Sequence, residues 1–234
     1  MLMLPIPSYI NVEKLRGQPP NFSWSDDLPH GVLQELDKVT VHTIAGASDL
    51  AKVAFVIGCA EWVVYRFEAE SSVDFAWDFI ESSWARLIDP FLGRPWEPRE
   101  WVWTGRADGS IVTALHSITN TFYGIDEGGG WRQEIPLAST FTAHVLGGFR
   151  EFQQWRDAVV AHLVQHFPYD DVDPFGPPVP RTALDPSVEL TGALREAALR
   201  SFLQSLNPER NRFLTSSHEQ QQLRAAMLDD DDDE

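Results

Sequence analysis

Two histidines at helical spacing are the first candidates for chemistry in this chain. His162 and His166 stand four residues apart, a spacing that places both imidazoles on one helix face, where they could bind one divalent metal. Asp170 or Asp171, just beyond the predicted helix end, would supply a third ligand. The metalloprotease signature requires a glutamate after its first histidine, and Leu163 stands there. We therefore favour two surface histidines at the negative end of a helix dipole. A metal-dependent enzyme is the alternative.

Glu61 is an acid in the middle of the most apolar segment of the sequence. A buried carboxylate must pair with a positive charge or take up a proton. Arg66 and Arg86 are the partners that the sequence suggests. Acids with perturbed titration gather at active sites, so a catalytic carboxylate is one interpretation. We favour a structural ion pair or a helix edge that reaches water.

The candidate nucleophiles lack the local motifs that would support catalysis. His116 lies beside Ser117, and His144 lies a few residues from Ser139, but no Gly-x-Ser-x-Gly elbow is present. We expect both histidines to be buried, hydrogen-bonded polar residues. Cys59 lies in an apolar run and is predicted to be an inert core thiol. Gly128 to Gly130 match no phosphate-binding motif, and we expect no cofactor.

A proline-broken segment between the predicted helices combines tryptophan with arginine, which are residues enriched at binding hot spots. Long loops without secondary structure of their own are often functional. The segment predicts a partner-binding loop, and the alternative is a loop pinned to the body by its aromatic side chains. Its candidate contact residues are Arg94, Trp96, Arg99, Trp101, Trp103 and Arg106.

Helical periodicity and capping residues predict an all-α, single-domain bundle of about seven helices. The segments with these signals are 28–39, 50–67, 73–88, 110–123, 134–146, 149–167, 188–206 and 218–228, with Ser48, Ser72, Ser187 and Ser216 or Ser217 among the predicted N-caps. We divide the chain into an irregular arm (1–28), a helical domain (29–228) with an internal Pro- and Asp-rich linker (168–186), and a disordered acidic tail (229–234).

The net charge of −17 restricts the classes of partner. The six acids of the tail leave −11 on the rest of the chain, and no basic patch suits a nucleic acid. The N-terminal sequence lacks a signal peptide, and the longest apolar run is too short to cross a membrane, so we expect a cytoplasmic protein. The predicted function is a non-enzymatic protein that binds a partner with a basic surface. An inhibitor or immunity protein against a basic toxin, or an adaptor in a bacterial assembly, fits this description, and a structural subunit of an oligomer is a further alternative.

Overall fold

The protein is all-helical wherever its structure is described. The computed structural model describes residues 4–19, 22–25, 37–94, 96, 105–126 and 131–231, and these ranges contain no β-strand. The predicted all-α class is confirmed. The α-helices are α1 (Val12–Arg16), α2 (Lys38–Ile44), α3 (Asp49–Phe67), α4 (Ala76–Arg86), α5 (Arg106–Asp126), α6 (Trp131–Val145), α7 (Arg150–His166), α8 (Gly192–Ser205) and α9 (Ser217–Asp231), and two 3₁₀ turns span Glu68–Glu70 and Arg181–Leu184.

Helix α3 is the centre of the bundle, as its apolar sequence predicts. Every residue from Ala51 to Phe67 is buried, and α1, α4, α5, α6 and α7 all pack against this helix. Each fully buried large apolar side chain contributes about 1.5–3 kcal/mol, so α3 supplies much of the stability. Gly58 lets the side chains of Leu184 and Trp155 lie close to the backbone of α3. A Cβ there would lie 2.6 Å from Leu184 Cδ1 and 3.0 Å from the Trp155 ring.

Two of the predicted N-caps are wrong because their hydroxyl groups bind carboxylates instead of helix N–H groups. Ser72 binds Asp108, and α4 begins only at Ala76. The Ser187 hydroxyl donates to Asp185, and α8 begins at Gly192 after the Thr191 cap, whose side chain accepts a bond from the backbone N–H of the third residue of the helix.

Helices extend into both chain ends, which the sequence predicts to be irregular or disordered. Helix α1 lies inside the arm predicted to be irregular, and its Leu15 is fully buried. At the other end, Ser216 and Glu219 form the reciprocal capping box that starts α9. That helix runs to Asp231, so it includes the first three acids of the predicted tail. The predicted helix 28–39 lies largely outside the described residues, as do residues 232–234.

The predicted linker 168–186 crosses the body and packs against it. Its first part docks on the start of α3, where the backbone N–H of Asp49 donates to the Pro174 carbonyl at 2.8 Å. Its second part buries Val179, Ala183 and Leu184 in the core. This packing brings Arg181 to the middle of α3. No helix in the described ranges is long and apolar enough to cross a membrane.

Candidate functional site

A buried ion pair joins α3 to the 3₁₀ turn Arg181–Leu184 within the linker. Glu61 has 0% exposure, and its carboxylate accepts bonds from Arg181 Nε at 2.7 Å and Nη2 at 2.9 Å. The Trp84 indole Nε1 donates to the same carboxylate at 2.8 Å. Both Glu61 oxygens are therefore satisfied, as a buried charge requires.

The predicted partners of Glu61 are wrong, and of the two favoured interpretations, an ion pair or a helix edge that reaches water, the structure shows the ion pair. Arg66 donates to Glu70 and to the Gln18 carbonyl, and the Arg86 guanidinium lies 4.1 Å from the centre of the Phe122 ring. Arg66 stands five residues after Glu61. At 3.6 residues per turn, it lies on a different face of the helix.

Arg181 connects three segments that are distant in sequence. Besides Glu61, its guanidinium donates to the Pro5 carbonyl at 2.6 Å and approaches the Tyr65 hydroxyl at 3.4 Å. Burial lowers the pKa of Arg181, but the Glu61 carboxylate outweighs this effect, and the pKa is raised. Burial also raises the pKa of Tyr65 to about 12 and that of Tyr9 well above its ordinary value. Both phenols therefore stay protonated at neutral pH.

A pocket of about 550 Å³ lies beside this ion pair. Its walls come from the N-terminal arm (4–9), the end of α4, the segment 179–188 and helix α8. Most of the lining side chains are apolar: Leu4, Pro5, Ile6, Pro7, Trp84, Ile88, Val179, Pro180, Val188, Ala198, Leu199 and Phe202. Apolar walls with a few fixed polar groups are typical of small-molecule sites.

Asp185 provides a carboxylate in the pocket wall. Its oxygens accept bonds from the Ser8 hydroxyl, the Ser187 hydroxyl at 2.5 Å and the Ser187 N–H at 3.0 Å. Burial raises the pKa of Asp185, but the donors of Ser187 and Ser8 outweigh burial and hold it below its ordinary range. Asp185 is therefore ionised at neutral pH, and its bond to Ser8 ties the arm to the pocket.

Helix α8 forms the outer wall of the pocket and is weakly embedded in the fold. None of its residues is buried. Leu199 and Phe202 face the pocket, whereas Leu203 on the same helix is 39% exposed and does not line it. A helix with so few buried contacts can move at a small cost in free energy.

The histidine pair lies on α7, as predicted, with its ring centres 4.4 Å apart. Burial, assisted by neighbouring His166, lowers the pKa of His162. The described residues include no group of three or more His, Cys, Asp or Glu side chains that could hold a metal. Asp170 therefore does not complete a ligand set with His162 and His166 in this fold. Its side chain accepts a bond from the Val172 N–H instead.

The predicted partner-binding loop is only partly described, and Trp96 is a core residue rather than a surface contact. Trp96 is 6% exposed, and its ring centre lies 5.5 Å from those of Phe75 and Phe79 and 5.2 Å from that of His116. The prediction for Trp96 is wrong because the surrounding aromatic side chains bury its ring.

The arginines at the ends of this loop form bonds within the chain. Arg94 pairs with Glu219 and donates to the Arg212 carbonyl, and Arg106 lies 3.7 Å from Glu70. Arg99, Trp101 and Trp103 lie outside the described residues, and their predicted role stays a prediction.

The candidate nucleophiles are used in packing. The Ser117 hydroxyl donates to the Thr113 carbonyl at 3.2 Å, and that of Ser139 donates to Asp37 at 3.3 Å. Burial raises the pKa of the Cys59 thiol, in agreement with a core cysteine. His144, predicted to be buried, is exposed and contacts Phe22, because it lies on the outer face of α6.

Sequence reasoning missed Arg181 and the pocket. The available signal was one arginine inside the short apolar stretch Val179 to Leu184, where burial would demand a carboxylate partner. No family model, curated protein or solved structure matches this chain.

Proposed function

We propose that this protein is a non-enzymatic binding protein whose ligand is a small, mainly apolar molecule held under helix α8. The observation that carries this proposal is the pocket of about 550 Å³, with its apolar walls and few polar groups. Its volume lies in the range of drug-sized ligand sites.

The polar side chains near the pocket are buried or hydrogen-bonded to each other, which supports binding rather than catalysis. A general acid or base must reach the proton it transfers. Glu61 is 0% exposed, and Arg181 and Trp84 occupy its oxygens. The hydroxyls of Ser8 and Ser187 both donate to Asp185 and have no histidine acceptor among the described residues. These groups support the pocket wall.

Ligand titration with a pocket-filling variant tests the proposal. Phenylbutanol should bind the folded protein with a dissociation constant on the order of 1 mM, as expected for a compound of this size. Leu199→Trp should abolish this binding because the indole fills the pocket. Leu203→Trp, on the exposed face of the same helix, is the matched control and should bind normally. Ligand-observed NMR measures both. Binding that survives Leu199→Trp, or no binding to the unmodified protein, contradicts the proposal.

A basic protein partner is the second candidate, and the net charge of −17 favours it. Complementary charge raises association rates, and salt reduces that gain. Leu223 (47% exposed) and Met227 (58% exposed) on α9 offer apolar contacts. An inhibitor, immunity protein or adaptor would use such a surface, with Trp101 and Trp103 as further candidate contacts. Co-purification at low salt tests this candidate, and a partner that stays bound regardless of salt would contradict the role of charge.

A further inference from the structure

We infer that the pocket selects a ligand that carries a primary amine on an apolar body, with Asp185 as the group that recognises the amine. This inference rests on the proposed function. It follows from the charges of the pocket wall and from the hydrogen bonds that the donor groups in this wall already form.

The two charged side chains in the pocket lining differ in how they are compensated. Arg181 makes a two-point ion pair with Glu61 at 2.7 and 2.9 Å, so its charge is cancelled next to the pocket. Among the described residues, no lysine or arginine forms an ion pair with Asp185, whose bonds come from the neutral donors of Ser8 and Ser187. Asp185 therefore places an uncompensated negative charge in the part of the pocket wall that the described residues form.

Two titratable groups that interact electrostatically with Asp185, His162 and Tyr9, leave this charge in place. His162 faces it from α7, but burial lowers the pKa of that imidazole, which is neutral at pH 7. Tyr9 in the arm keeps its proton because burial raises its pKa. The net charge of −17 adds a potential of the same sign and attracts cations.

The hydrogen bonds that Arg181 already donates also disfavour an anionic ligand. The Nε and Nη2 groups of Arg181 donate to Glu61, and its Nη1 group donates to the Pro5 carbonyl. A carboxylate would meet Asp185 without a free cation to bind it. An ammonium group finds a remaining lone pair on Asp185, since a carboxylate has about four acceptor sites and three are occupied. The apolar body would then lie against Leu199 and Phe202.

Three probes with one apolar body and different head groups test this inference: phenylbutylamine, phenylbutanol and phenylbutanoate. In the unmodified protein at pH 7, the amine should bind about fivefold tighter than the alcohol, as for a partly exposed ion pair. The carboxylate should bind most weakly. Asp185→Asn should remove the preference for the amine over the alcohol, with both probes measured on the same variant so that any change common to both cancels. Asp74→Asn, which removes an exposed charge outside the pocket, is the control and should keep the preference.

Salt provides a second measurement that needs no variant. Raising NaCl from about 20 to about 500 mM should shrink the preference for the amine over the alcohol, because ions screen a partly exposed charge. Equal binding of all three probes, or tightest binding of the carboxylate, overturns this inference and leaves the proposed function standing. If none of the three binds, both are overturned.

Discussion

Replacing Arg181 by methionine removes the guanidinium that neutralises Glu61 and keeps most of the apolar stem. The carboxylate, at 0% exposure, then retains the Trp84 indole as its donor. Breaking a buried ion pair from one side costs about 3–5 kcal/mol. The Arg181 side chain is itself 15% exposed, so water can enter the vacated space. We therefore expect a loss near the lower limit, about 3 kcal/mol of unfolding free energy.

A second substitution separates the unpaired charge from the lost packing. Adding Glu61→Gln to Arg181→Met leaves a neutral amide whose oxygen still accepts from Trp84. The double variant should be more stable than Arg181→Met alone by about 2 kcal/mol, although it carries one more change. Arg212→Met is the control, because it breaks an ion pair with Asp74 whose side chains are 57% and 81% exposed. It should cost less than about 1 kcal/mol.

Urea unfolding at pH 7, followed by far-ultraviolet circular dichroism, measures all four proteins. If Arg181→Met costs no more than Arg212→Met, the buried pair is worth no more than an exposed one, and the prediction is wrong. If the double variant is no more stable than Arg181→Met, an unpaired charge is not the source of the loss, and the prediction is wrong as well.

Stability measurements also test the packing at Gly58, the titration of His162 and the role of the C-terminal acids. Gly58→Ala should destabilise the protein by about 1–3 kcal/mol in urea unfolding because its methyl group overlaps Leu184, whereas Gly192→Ala, with open space around it, should not. The lowered pKa of His162 favours its neutral form in the folded state, so its contribution to stability is complete above pH about 6.5 and is lost as the pH falls below that value. The melting temperature should then drop less between pH 7 and pH 5 in His162→Asn than in the unmodified protein, and an equal drop would contradict the assignment. Deletion of Asp229–Glu234 should change the melting temperature by less than about 2 °C, because acids at a helix C-terminus oppose its dipole. A larger drop would show that these residues pack against the body.

Apolar runs and capping residues predicted the helices correctly where their contacts are formed within the same segment of the chain. The apolar segment 50–67 became α3, and Ser216 with Glu219 formed the capping box of α9. The same kind of signal failed at Ser72, because its hydroxyl binds Asp108, 36 residues away, and α4 begins only at Ala76. A capping hydroxyl can choose between a nearby N–H and a distant carboxylate, and sequence spacing does not describe the distant choice.

The sequence by itself determined that the chain is helical, that α3 is central and that Glu61 needs a partner. Periodicity and the cost of burying a charge are properties of single segments and residues. Only the tertiary structure decided that the partner is Arg181, 120 residues away, and that Trp96 belongs to the core. The pocket has the same origin, because its walls come from four segments between Leu4 and Ser205. Hydrophobic burial is non-directional. A pattern of apolar residues therefore predicts that one face of a helix is buried, but it does not predict which segment packs on that face.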